Sequence, residues 1–217
     1  MRSMYSLTSY IYYFLASNLL FYLSIAIPGA WLISFERSLM DIIAIGFMFP
    51  GLAALVSCGI KHKELKNEVG FGVLKYFVEG YKKNFKDTIK YCFIYTIIIF
   101  SVVFNINYYG GDMPTLIMIA LVSLTTLSTL TVTYMLIIAA KFQFRTRDLL
   151  RVSFYCIMMH FKRTIKIFIT YVVLFFAFPW FGAFTMFLFI SPIVYLIVHF
   201  ANPILEDVHE MFIEKPE

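Results

Sequence analysis

Few side chains in this sequence could carry chemistry, and their spacing offers little of it. His199 is the one titratable group within a long apolar run. Inside a membrane such a histidine either binds substrate or protons, or serves as polar glue to a neighbouring helix. Asn18 and Asn202 pose the same choice. Each either bonds across a helix bundle or lines a polar groove for a sugar. Residues 115–140 hold a ladder of hydroxyls: Ser123, Thr125, Thr126, Ser128, Thr129, Thr131 and Thr133. Hydroxyls in a span ordinarily bond back to the i−4 carbonyl and let helices approach; a hydroxyl-lined conduit is the sharper alternative.

Other reactive types are scattered. His62, His160 and His209 lack metal-ligand spacing, and His199 and His209 are too far apart for a helical i, i+4 pair. Cys58, Cys92 and Cys156 match no metal motif and read as small packing residues. No phosphate-binding loop, nucleophile elbow or zinc signature is present. "NEVGFGVLKYF" is not the coupling-loop pattern by which permease subunits engage an ATPase. The expectation is therefore a protein that is not an enzyme, with no catalytic residue, cofactor or metal.

The elements that must position these residues are membrane spans. Of 217 residues, 61% are hydrophobic and 14% charged, and the mean hydropathy is +0.81. Soluble domains are about half apolar and a quarter charged. A span needs about 20 apolar residues to cross about 30 Å of hydrocarbon. Runs of that kind fall at about 9–35, 41–60, 88–108 and 115–140. The first is too long for a signal-peptide core and reads as a retained span, with Pro28 and Gly29 kinking or ending it. Pro50-Gly51 interrupts the second, a break that neighbouring helices can repair. The final run, from Ile167 to Leu205, would measure about 58 Å as one helix. It divides near "FPWFG" into spans at about 164–180 and 183–205, a broken pair being the alternative. The reading is one all-α transmembrane domain, residues 1–217, with about six spans.

The charges orient it. Only Arg37 of the 18 Lys and Arg residues lies outside the N-terminus, residues 61–90, residues 141–166 and the tail. By the positive-inside rule these segments and both termini face the cytoplasm. Trp31, Trp180, Tyr108 and Tyr109 then fall at outer ends, as an aromatic belt requires. The net charge of +5 points to anionic lipid, not nucleic acid.

"NFKDTIK" at 84–90 returns as "HFKRTIK" at 160–166, an offset of 76. At that offset Leu74 matches Leu150, Val78 matches Phe154, Tyr81 matches Ile157, Phe85 matches Phe161 and Ile89 matches Ile165. The spacings of 3 and 4 predict amphipathic helices at about 70–87 and 147–163, each lying in the interface with its apolar face in lipid or on the bundle. Span, cytoplasmic helix, span would then occur twice in the same orientation, as a parallel repeat.

Three stretches carry a resemblance. They are "ASNLLFYLSIAIP", with Asn18, Leu19, Leu20 and Phe21; "FPGLAAL", with Gly51, Ala53, Ala54 and Leu55; and "FVEGYKKNFKDTIK", with Phe77, Asn84, Phe85 and Lys86. Together they resemble the YesL-like membrane proteins of Gram-positive bacteria, a family of unknown function. The likeness covers roughly residues 10–100. A Gly-Leu-Ala stands where the family has Gly-Pro-Ala. The resemblance implies a place beside carbohydrate ABC uptake or cell-envelope sugar metabolism, and no catalytic residue.

The function expected is a non-enzymatic accessory protein of a membrane complex such as a carbohydrate ABC importer. Its candidate contact residues are Phe77, Lys82, Lys83, Asn84, Phe85, Lys86, Phe161, Lys162 and Arg163. The alternative is a small transporter or channel for a sugar or ion, and a homo-oligomer is compatible with either. An enzyme acting on lipid-linked sugars lacks the carboxylates for that chemistry.

Overall fold

The computed structural model describes residues 2–34, 40–61, 72–109 and 113–212; side chains are described from residue 8 onward, except at 29, 31–34, 40–42, 178 and 180–188. Trp31, Arg37, Asp41, His62, Asp112, Trp180 and Lys215 therefore fall outside the described side chains. Among the described residues all regular structure is helical: α1 (Arg2–Ser34), α2 (Met40–Ile60), α3 (Gly72–Tyr109), α4 (Thr115–Lys141), α5 (Thr146–Met159) and α6 (Phe161–Phe212). Five described stretches are long and apolar enough to cross a bilayer: Thr8–Pro28, Ile43–Ile60, Gly72–Tyr109, Thr115–Lys141 and Phe189–Phe212. The chain is an all-α, multi-pass membrane protein.

α3 corrects one expectation. The helix at 70–87 is not a separate element lying in the interface. It continues without a break into the apolar run that follows. The reason is a single buried stripe: Val73, Phe77, Gly80, Asn84, Thr88 and Tyr91 recur at spacings of 3 and 4 and all face the bundle. No proline interrupts them. The partner is α2, which runs antiparallel. Gly80 sits where a Cβ would come within 2.9 Å of the Ser57 Cβ and 3.4 Å of the Ala54 Cα. Such small-residue contacts let backbones close up where lipid is as apolar as the core. Phe49 and Tyr95 meet edge to face farther along.

α6 doubles back on itself. The Lys166 ammonium lies 5.7 Å from the centre of the Phe200 ring, whereas a straight helix would hold the two residues about 50 Å apart. Val173 with Ile193, and Ala177 with Phe189, line the same cleft. As one partner advances the other retreats, so the limbs are antiparallel and the reversal lies between Ala177 and Phe189. The sequence expectation of a division near 178–182 falls within that interval.

The tight core occupies one end of the bundle. Ala53 to Val56 of α2, Leu130 to Ile138 of α4, Leu149, Val152 and Cys156 of α5, and Val198, Ala201 and Leu205 of α6 are all buried. Lys61, Lys82, Lys83, Lys141, Arg145 and Lys166 are exposed near this end. Toward the other end the helices bare apolar side chains, among them Ile27, Phe104, Leu116, Ile119 and Phe175. Exposed apolar residues on that scale mark a lipid-facing surface. Tyr108 and Tyr109 stand exposed there, ring against ring.

The apolar stripe matched in sequence is exposed at its start and partly buried beyond, with Ile157 in the core. Leu74 and Val78, and their counterparts Leu150 and Phe154, all face outward. The buried positions also agree at the offset of 76: Val73 with Leu149, Phe77 with Ser153, Gly80 with Cys156, Thr88 with Thr164, and Tyr91 with Ile167.

Gly80→Val should force α3 off α2. Overpacking of this kind costs about 1–3 kcal/mol, read as a lower unfolding temperature in detergent; an unchanged temperature would mean that the close approach at Ser57 is dispensable.

Candidate functional site

Five of the seven hydroxyls singled out on α4 have bonds within their own helix. Thr125, Thr126, Thr129, Thr131 and Thr133 each place Oγ1 at 2.7–2.9 Å from the carbonyl four residues back. A threonine hydroxyl has one proton, and here the carbonyl takes it. Its lone pairs stay free to accept. Tyr95 therefore donates to Thr129 Oγ1 at 3.1 Å, and Tyr171 donates to Thr133 Oγ1 at 2.6 Å. Tyr134 pairs with Thr164 at 2.9 Å and Thr88 with Tyr91 at 3.2 Å, both fully inside. The Tyr95–Thr129, Thr133–Tyr171 and Tyr134–Thr164 bonds join helices, while Thr88–Tyr91 lies within α3. Five of the seven hydroxyls of the ladder thus give their protons to their own helix.

Tyr95 and Tyr171 stand 76 residues apart, as the repeated heptapeptides do. One comes from α3 and the other from the first limb of α6. Each reaches α4 one turn from the other, at Thr129 and Thr133. α4 is thus a post shared by two helical hairpins. Pattern reading in sequence found the threonines but not their tyrosine partners, which are common residues in a chain so rich in aromatics.

Asn18 is buried, and its Oδ1 accepts the backbone N–H of Ser191 at 2.8 Å. The next residue is Pro192, which has no N–H and disrupts the helical ladder at that turn. The Asn18 carbonyl oxygen of α1 reaches the backbone at that turn and ties α1 to α6 there. His199 lies elsewhere. It is exposed and stacks on Tyr195 of its own helix, with ring centroids 6.4 Å apart. Asn202 is half-buried. The three polar residues singled out within spans do not converge on a common site.

The candidate contact residues divide. Lys82, Lys83 and Lys86 of α3, and Phe161 and Lys162 at the start of α6, are exposed. Phe77 and Asn84 are not available to a partner. Phe77 belongs to the core, and Asn84 Nδ2 donates to Ser57 Oγ at 3.4 Å. Their place on the α2-facing stripe explains it. Phe85 is half-buried between Phe47 and Tyr81. Arg163 is half-buried, one guanidinium nitrogen shielded from solvent.

Two features escaped pattern reading. A small polar cleft of about 230 Å³ opens between α3 and the turn before α5, lined by Lys83, Asn84, Asp87, Gln143 and Thr146. His160, where the chain breaks between α5 and α6, lies 3.4 Å from the Asp207 carboxylate. Both join residues far apart in sequence. Neither supplies a nucleophile with a base. Cys156 is fully buried, and burial, with a smaller effect from the Asp207 charge, pushes its thiol up to about 12, so it stays protonated and unreactive at neutral pH. Among the described residues no group of three His, Cys, Asp or Glu side chains could hold a metal ion.

Comparison of the chain with protein-family models, with curated proteins and with solved structures yields no match.

Asn18→Ala should strand the Ser191 N–H and cost about 1–3 kcal/mol, whereas His199→Ala should stay within about 0.5 kcal/mol, as exposed sites do. Unfolding temperatures of the two variants in one detergent would check this; equal effects would contradict the assigned roles.

Proposed function

We propose that this chain is a non-enzymatic accessory protein that docks against another membrane complex through the cationic end of its bundle. The observation that carries the reading is the division of its polar groups. Those inside the bundle bond to one another, at Tyr95–Thr129, Thr133–Tyr171, Tyr134–Thr164 and Asn18–Ser191. Outside, Lys82, Lys83 and Lys86 of α3 are exposed, as are Phe161 and Lys162 at the start of α6. Exposed cations suit a protein partner bearing carboxylates. The resemblance of Asn18–Phe21 and residues 77–86 to YesL-like proteins is the ground for naming a carbohydrate ABC importer as that partner.

We further propose six crossings, both termini cytoplasmic, and a parallel repeat. The antiparallel limbs of α6 supply the additional crossing, in the limb before the reversal. The positive-inside rule supports the orientation. The agreement of buried and exposed positions at an offset of 76 supports the repeat.

Charge reversal of Lys82, Lys83 and Lys86 together should reduce, several-fold, the importer subunits that purify with the tagged protein in gentle detergent. Mass spectrometry would quantify them, and undiminished subunits would remove these lysines from the contact. For threading, a fluorescent reporter that folds only in the cytoplasm should light up when inserted after Gln143 and stay dark after Met113. The reverse pattern would invert the topology.

A further inference from the structure

We propose that two apolar clefts in the bundle are sites for an anionic phospholipid, with an acyl chain in each cleft and the headgroup phosphate held by Arg147 in one and Lys166 in the other.

The first cleft lies between α3, α4 and α5 and has a volume of about 520 Å³. Ile94, Ile98, Leu124, Leu127 and Val132 form its walls. Three of its hydroxyls are already engaged, Tyr91 with Thr88, Tyr95 with Thr129, and Thr131 with the Leu127 carbonyl; Ser128 and Thr146 also line it. Arg147 closes the end nearest the cationic surface. The second cleft, between the limbs of α6, has the same volume of about 520 Å³. Ile169, Val173, Phe189, Ile193 and Leu196 line it, and Lys166 stands at its end over the Phe200 ring. The two clefts correspond along one wall. Ile94 and Ile98 of the first stand 76 residues before Thr170 and Leu174 of the second.

Three considerations select the occupant. A cleft whose walls are mostly apolar offers water few of the two to four polar partners it needs. Both clefts lie along helices that cross the bilayer, where the available apolar molecule is an acyl chain. The cation at each end then selects the headgroup. Three ion pairs join described side chains, Lys90 with Asp87, Arg151 with Asp148, and His160 with Asp207. Neither Arg147 nor Lys166 takes part. Asp148, next in sequence to Arg147, turns its carboxylate to Arg151 at 4.0 Å. Neither cleft is lined by a carboxylate among the described residues, so the ammonium of a zwitterionic headgroup has no partner there. A phosphate with no compensating cation fits better. The proposal is independent of the accessory role.

The test is native mass spectrometry of the intact chain in gentle detergent, titrated with phosphatidylglycerol and with phosphatidylcholine of the same acyl chains. The wild type should hold two phosphatidylglycerols with about tenfold preference, the worth of one charge-assisted contact. Arg147→Gln and Lys166→Gln should each lose one, and the double variant both. Both side chains are exposed, so the variants should fold. Leu124→Trp should block the first cleft with its arginine intact and lose one lipid as well. Equal retention of the two lipids, or a double variant that keeps phosphatidylglycerol undiminished, would overturn the assignment.

Discussion

Hydrocarbon cannot hydrogen-bond, so every polar group within this bundle must find its partner in the chain itself. The rest of the structure depends on that constraint. Threonine hydroxyls on α4 give their protons to carbonyls of their own helix. That leaves oxygen lone pairs facing outward, and tyrosines from two other elements donate to them. The effect is to fix α3 and the first limb of α6 to one post, a turn apart. The same constraint places Asn18. Its side-chain oxygen, from α1, accepts the Ser191 N–H beside Pro192 and fixes α1 to α6.

Sequence reading located the spans because length and apolarity are local properties. The structure keeps α2 and α4 within a residue of their expected limits. It failed to say which face of a helix is inside. In a soluble protein the apolar stripe faces the core. Here lipid is as apolar as the core, so Leu74 and Val78 can face outward while Val73 and Phe77 face inward. The better signal was the small and polar residues. Gly80, Asn84 and Thr88 share one stripe, and each is buried. They also explain why Phe77 and Asn84, which looked like parts of a contact surface, belong to the α2–α3 seam.

Small and polar residues set how the first three helices meet. The position a Gly51 Cβ would take is crowded by Ser24 and Phe21 of α1, and Asn84 of α3 bonds to Ser57 of α2. These residues set how α1, α2 and α3 approach one another. They belong to the architecture, and the exposed lysines bear the functional proposal.

The two segments that share a heptapeptide differ at one register. Asn84 and His160 open the matching heptapeptides, yet α3 runs straight through Asn84 while the chain breaks at His160. Their partners account for the difference. Asn84 bonds to Ser57 on α2, which lies alongside α3 over this stretch, so a straight course keeps the whole stripe covered. His160 instead reaches Asp207, far along α6, and its own N–H still bonds to the Cys156 carbonyl as the helix ends. A straight continuation there would carry Leu149, Val152 and Cys156 away from the core they fill. The break lets α5 turn those residues inward while α6 starts along a new axis, with Thr164 and Tyr134 paired just beyond it. One buried pattern is thus met by two backbone courses, each set by the helix it must cover.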